Sequence, residues 1–191
     1  MTKINTGIKT TKEKTEASFD SLKEKFGYTN KLAAPKMTKI SVSVSTGTMM
    51  RKDRKRNDLV MDRLAKITGQ KSTLRKAKQS NASFKIRQGD PIGVSVTLRG
   101  KRMYDFLDKV INIALPRTKD FRGIAATSLD NIGNMTFGIK EHTIFPEIKD
   151  EELKDVFGMA VTLVTTAKNK DEAKAFFDLI QIPFKKEPKV K

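Results

Sequence analysis

Lys39-Ile40-Ser41-Val42-Ser43-Val44-Ser45 alternates without a break between branched apolar side chains and short hydroxyls. Successive side chains of an extended chain point to opposite faces, so Ile40, Val42 and Val44 share one face while Ser41, Ser43 and Ser45 share the other. That is the pattern of a strand buried on one side only. It returns downstream, where Val94, Val96 and Leu98 alternate with Ser95, Thr97 and Arg99. Half-buried strands with helical segments between them predict an α+β domain, a mainly antiparallel sheet with helices packed on one face and the other face left open.

Around these strands the period changes. From Thr15 on, Phe19, Leu22 and Phe26 recur at helical spacing, and Gly27 ends that helix. Thr46-Gly47 turns the chain into the cluster Arg51-Lys52-Asp53-Arg54-Lys55-Arg56, which leads into a helix whose stripe is Val60, Leu64 and Ile67, with Met61 and Ala65 beside it and Gly69 as its stop. Lys71 to Ser80 reads as a strand apart from its charge, and Phe84 to Asp90 as a hairpin arm with its turn. The strongest helical pattern runs from Lys101 to Leu115 through Met103, Phe106, Leu107, Val110, Ile111 and Ala114, and Pro116 is expected to stop it. Arg117 to Gly138, rich in Gly, Asp, Asn and Ser, reads as a long loop bounded by short extended pieces.

The acidic stretch Glu147 to Asp155 reads as a polar turn or short helix, and Met159 to Thr166 as an inner strand. Asn169, with Glu172 three residues on, is expected to cap a closing helix buried through Ala173, Phe176, Phe177 and Ile180 and ended by Pro183. Residues 1 to 14 are expected to form a disordered basic extension, 15 to 184 a single domain, and 185 to 191 a basic tail.

With 191 residues, 37% of them hydrophobic, the chain suffices for one domain with a real core, since domains average about 150 residues. It has no cysteine, so disulfides and thiolate metal sites are excluded, and a reducing cytoplasmic compartment fits. No apolar run reaches the roughly 18 residues of a membrane span. The N-terminal segment lacks the apolar centre of a secretory signal; a mitochondrial address, which needs less, stays open as the less favoured alternative because the usual arginines are missing. The net charge of +17 is unevenly placed: residues 36 to 122 hold 22 basic and 7 acidic groups, against 10 and 11 in residues 123 to 191. Charge confined to one part of the chain is the footprint of a polyanion binder.

Enzyme chemistry finds little support. His142 is the only histidine, a poor start for a metal site or a nucleophilic triad, and is read as structural. Gly93 and Gly100-Lys101 stand too far apart for a phosphate loop, and Arg102 occupies the position where Ser or Thr would bind magnesium. No active site, cofactor, metal or small-molecule substrate is expected. The basic run is different. Lys71, Arg75, Lys76, Lys78, Lys85 and Arg87 follow one another without an acid up to Gly89. Such a run gives salt-dependent affinity for phosphates but reads no sequence. Ser43 and Thr97, with Arg99 beside them, are short groups that let an RNA surface approach closely and meet 2′-hydroxyls. Outer-face hydroxyls are also ordinary solvent contacts, and the adjacent charge favours RNA. Phe84 offers a ring for stacking, although a lone Phe at strand spacing more often joins a core.

A set of blocks then resembles a known family in order and spacing: Phe26-Gly27-Tyr28, Ile67-Thr68-Gly69-Gln70-Lys71, Phe84-Lys85-Ile86-Arg87, Pro91-Ile92-Gly93, Val96-Thr97-Leu98-Arg99-Gly100, Met103-Tyr104-Asp105-Phe106-Leu107, Ala114-Leu115-Pro116-Arg117, Asp120-Phe121-Arg122-Gly123, Gly138-Ile139-Lys140-Glu141, Ile144-Phe145-Pro146-Glu147-Ile148 and Val164-Thr165-Thr166-Ala167. Over Ser18 to Phe184 the chain resembles the bacterial-type large-subunit ribosomal protein number five. The resemblance implies a non-enzymatic protein of the cytoplasmic ribosome that anchors 5S rRNA in the central protuberance, beside 23S rRNA and other proteins of that region, touches the P-site tRNA and bridges to a head protein of the small subunit. It implies 5S rRNA contacts at Gln70, Thr97 and Ser43, where the family usually has Asn. Ser keeps one hydrogen bond there but loses the paired donor and acceptor of an amide. Lys71, Arg75, Lys76, Lys78 and Arg99 flank them. The loop with Phe84, Lys85, Arg87 and Gln88 corresponds to the tRNA-facing tip, and Arg117, Lys119, Arg122, Asn131 and Asn134 to the bridge region. A non-ribosomal RNA chaperone or regulatory RNA binder of the same fold is the alternative, and no membrane partner is expected.

Overall fold

The computed structural model describes residues 10–47, 56–119, 121–148 and 156–185. Arg51 to Lys55, the acidic stretch from 149 to 155 and the tail beyond Lys185 lie outside the described residues. Five strands, β1 (Met37–Ser45), β2 (Thr73–Lys76), β3 (Pro91–Leu98), β4 (Met135–Ile139) and β5 (Met159–Thr165), form one sheet in the order β2-β3-β1-β5-β4. Every neighbouring pair is antiparallel. The alternating stretch β1 is thus the central strand, and β5 is the inner strand its apolar character predicts.

The α-helices of six residues or more among the described residues are α1 (Thr11–Glu16), α2 (Ser18–Phe26), α3 (Arg56–Thr68), α4 (Gly100–Lys109) and α5 (Lys170–Leu179). Their stripes close over one face of the sheet: Val60, Leu64 and Ile67 of α3 and Ala173, Phe176 and Phe177 of α5 are fully buried with Ile40, Val42 and Leu163 in a single apolar cluster. Burying a side chain of this size stabilises the fold by about 1.5–3 kcal/mol. α3 lies on β3, and α2 packs against α5.

Four expectations change. The stretch expected to be a disordered lead-in already contains α1. Thr10 and Glu13 form a reciprocal capping box, and Thr11 donates from both its N–H and its hydroxyl to the Asp108 carboxylate on α4. Polar anchoring carries no hydrophobic period, so the sequence pattern missed it. Next, Pro116 does not stop the long helix. α4 continues through a π-helical turn at Val110–Ala114 into Leu115–Arg117, the Leu115 N–H donating to the Val110 carbonyl five residues back. The wider turn puts Pro116 in the first turn of a new segment, where no amide hydrogen is needed.

Third, Phe84 to Asp90 forms no hairpin arm. Asn81 and Ile86 make an isolated bridge closing a tight turn at 82–85, and Lys85 sits at φ 51 within it. Last, the capping box of α5 does not form. The Asn169 side chain makes no cap bond, and the Glu172 carboxylate accepts instead from the Lys168 N–H at 2.6 Å and from the Tyr28 hydroxyl.

Candidate nucleic-acid interface

Strand register defines the face that the helices leave uncovered. Ser43 stands between Ser95 and Ala160, with Thr73 and Gly138 beyond them on the edge strands. Ser41 stands between Thr97 and Thr162, with Thr136 beyond, and Ser45 pairs with Gly93, which pairs with Arg75. Ser43, Ser45, Thr73, Arg75, Thr136 and Gly138 are exposed, and Ser41, Thr97, Ala160 and Thr162 half-buried. No acidic residue occurs on any of the five strands. The face is therefore rich in hydroxyls, and its strands carry no negative charge.

Gln70 is brought to its border by the end of α3. Gly69 takes the left-handed conformation at φ 67, after which the Gln70 Nε2 donates to the Thr97 carbonyl at 3.1 Å. Two positions distant in sequence are thereby locked together, and the Gln70 Oε1 and the hydroxyls of Thr97 and Ser43 have no hydrogen-bond partner among the described residues. Lys109 fixes the base of this corner, donating to the Ile67 carbonyl at 2.8 Å and pairing with Glu147 at 2.6 Å. Lys71, Arg75, Lys76 and Lys78 line the edge strand β2 and its flanks, all exposed. Basic side chains on an edge also discourage pairing with foreign strands. Arg99 is not a strand residue: β3 ends at Leu98 and Arg99 is the exposed N-cap of α4.

The other predicted positions lie elsewhere. Phe84 is 61% exposed in the turn at 82–85, so it belongs to no core. Its turn is well bonded: the Asn81 side chain accepts from the Ser83 and Phe84 N–H groups, and the Arg87 and Gln88 N–H groups donate to Asp90 and Ser80. Arg117, Lys119 and Arg122 are exposed, the first at the end of the continued α4. Asn131 is exposed beside Ile132, whereas the Asn134 side chain is engaged in the fold, donating to Asp130 at 3.0 Å and accepting from the Thr165 N–H at 3.3 Å. His142 is fully buried, stacked on the Phe157 ring at 4.0 Å and in contact with Arg63. That is a structural role.

Sequence reasoning missed Ser41, Thr162 and Thr136, the last two sharing a hydrogen bond at 3.0 Å on the same face. The alternation signal held Ser41, but nothing in the sequence assigns β4 and β5 their register. Two tyrosines have displaced pKa values, both away from this face. Burial, reinforced by the Glu172 carboxylate, pushes the Tyr28 phenol far above its ordinary 10.0, and burial also raises Tyr104 against the lowering effect of a Thr15 hydrogen bond.

Residues 30–87 match the family described as Ribosomal protein L5, and residues 91–184 match the description of the same ribosomal family's C-terminus. The chain is therefore a ribosomal protein, of a structural and non-enzymatic class. It is 49% identical over 166 residues to the large ribosomal subunit protein uL5 of Flavobacterium johnsoniae, covering 87% of this chain and 90% of that one. The uL5 proteins of Thermoanaerobacter sp. and Mesoplasma florum are each 46% identical, over 87% and 90% of this chain and 92% and 95% of theirs. The chain belongs to the ribosomal protein L5 family. The two matched segments share one sheet, in which β1 from the first lies between β3 and β5 from the second.

Proposed function

We propose that this chain is a structural constituent of the large ribosomal subunit that binds 5S rRNA on the uncovered sheet face and attaches it in the central protuberance, beside 23S rRNA and neighbouring proteins. Gln70, Thr97 and Ser43 make the close contacts, and Lys71, Arg75, Lys76, Lys78 and Arg99 neutralise phosphates around them. The turn with Phe84, Lys85, Arg87 and Gln88 faces the P-site tRNA. Arg117, Lys119, Arg122 and Asn131 serve the bridge to a small-subunit head protein, with Asn134 shaping the loop that carries Asn131.

One observation supports the RNA reading most. A sheet of five strands with no acid presents unpaired hydroxyls and an amide oxygen together, edged by cations. Short donors and acceptors of this kind suit the shallow minor groove and 2′-hydroxyls of RNA, which bulky side chains would hold off. The test is a gel-shift titration of the chain with 5S rRNA and with an unrelated RNA of equal length at rising salt. A preference for 5S rRNA that persists as salt weakens both complexes is the expected result; equal affinity throughout would leave only a general RNA binder.

A further inference from the structure

Arg75 and Ser95 form a pair on this face whose geometry exceeds what an edge cation needs. Arg75 stands opposite Gly93, which has no side chain, and Ser95 lies two residues along β3, between Thr73 and Ser43. The Arg75 Nε–H donates to Ser95 Oγ at 2.6 Å, so the side chain leans along the sheet instead of standing into solvent. Ser95 is only 7% exposed, whereas Arg75 stays exposed. The two Nη groups of Arg75 have no partner among the described residues, and no strand supplies an acid to neutralise them.

We propose that Ser95 is a positioning residue that holds the Arg75 guanidinium flat over the hydroxyl face as a bidentate receptor for an RNA backbone phosphate, beside Ser43. The proposal rests on the RNA reading of this face. With Nε anchored, the two Nη groups present parallel donors that match two phosphate oxygens, and the orientation is set before the ligand arrives. A free surface arginine would surrender its rotamers on binding. Ser95 is too covered to meet RNA itself and acts through Arg75. An arginine that merely guards the edge of β2 needs charge and no fixed orientation, and a lysine would do as well.

That difference gives the experiment. Affinities of the full chain for 5S rRNA and for an unrelated RNA of equal length are measured at several salt concentrations. The proteins are wild type, Ser95→Ala, Ser95→Thr, Arg75→Lys, Arg75→Ala and the double variant Ser95→Ala/Arg75→Ala, with denaturant midpoints as a check on folding. Ser95→Ala and Arg75→Lys are expected to weaken binding of 5S rRNA by a similar factor, about three- to tenfold, the range that re-ordering one long side chain costs. Ser95→Thr, which keeps the hydroxyl, retains binding, and Ser95→Ala adds no loss on top of Arg75→Ala. The salt slope falls by about one phosphate's worth in Arg75→Ala and not in Ser95→Ala.

Wild-type affinity in folded Ser95→Ala, full binding by Arg75→Lys, or a Ser95→Ala loss that persists without Arg75 would each overturn the pairing. If wild type fails to prefer 5S rRNA, the 5S assignment falls, while the same cycle on either RNA still decides the pair. Failure to bind any RNA defeats both.

Discussion

At the scale of single residues, the groups proposed to select RNA differ in setting from those proposed only to attract it. Gln70 is tied to Thr97 and keeps an unpaired amide oxygen at the border of the face, whereas Lys78 is an exposed cation beyond the end of β2. Gln70→Ala should therefore cost about 1 kcal/mol or more of 5S rRNA binding, as loss of a hydrogen bond does, with little change for unrelated RNA. Lys78→Ala should weaken all RNAs and flatten the salt slope by about one phosphate. Identical behaviour of the two variants in the salt titration would contradict the division. Ser43 was legible from the sequence because strict alternation fixes which face it occupies. Ser95 obeys the same alternation and yet is buried and hydrogen-bonded to the Arg75 side chain, a contact that no pattern along the chain encodes.

At the scale of elements, apolar periodicity located the stripes of α2, α3, α4 and α5, and polar anchoring decided what periodicity could not. α1 is the clearest case, held by a capping box and by Asp108. Asp108→Ala should release it, raising amide hydrogen exchange across Thr11–Glu16 while the strands stay protected; unchanged exchange there would show that packing alone holds the helix. The Tyr28 to Glu172 hydrogen bond joins the end of α2 to the start of α5. Because the folded phenol is raised above its ordinary 10.0, its contribution is complete below that pH and is lost as pH rises from there toward the folded value. Denaturant midpoints of wild type should thus fall between about pH 9 and about pH 11, as this linkage requires. Tyr28→Phe should fall less, and parallel curves would remove Tyr28 from the linkage. The same physics explains Pro116: a proline is a stop only where an amide hydrogen is needed, and the π turn at Val110–Ala114 removes that need.

At the scale of the whole molecule, one central strand with one apolar and one hydroxyl face organises everything. Half-buried alternation made the class legible, an α+β domain with a mainly antiparallel sheet. The strand order was not legible, because the placing of β1 between β3 and β5 arises from contacts distant in sequence. The helices close the apolar face, the strands carry no acid, and the proposed function assigns the other face to RNA. The most direct measurement of that claim is a methyl spectrum of the chain with labelled threonines, titrated with 5S rRNA. Shifts confined to Thr73, Thr97 and their neighbours on the uncovered face, with Thr11 and Thr15 of α1 unmoved, are the predicted result. Shifts at α1 with Thr73 and Thr97 unperturbed would contradict it.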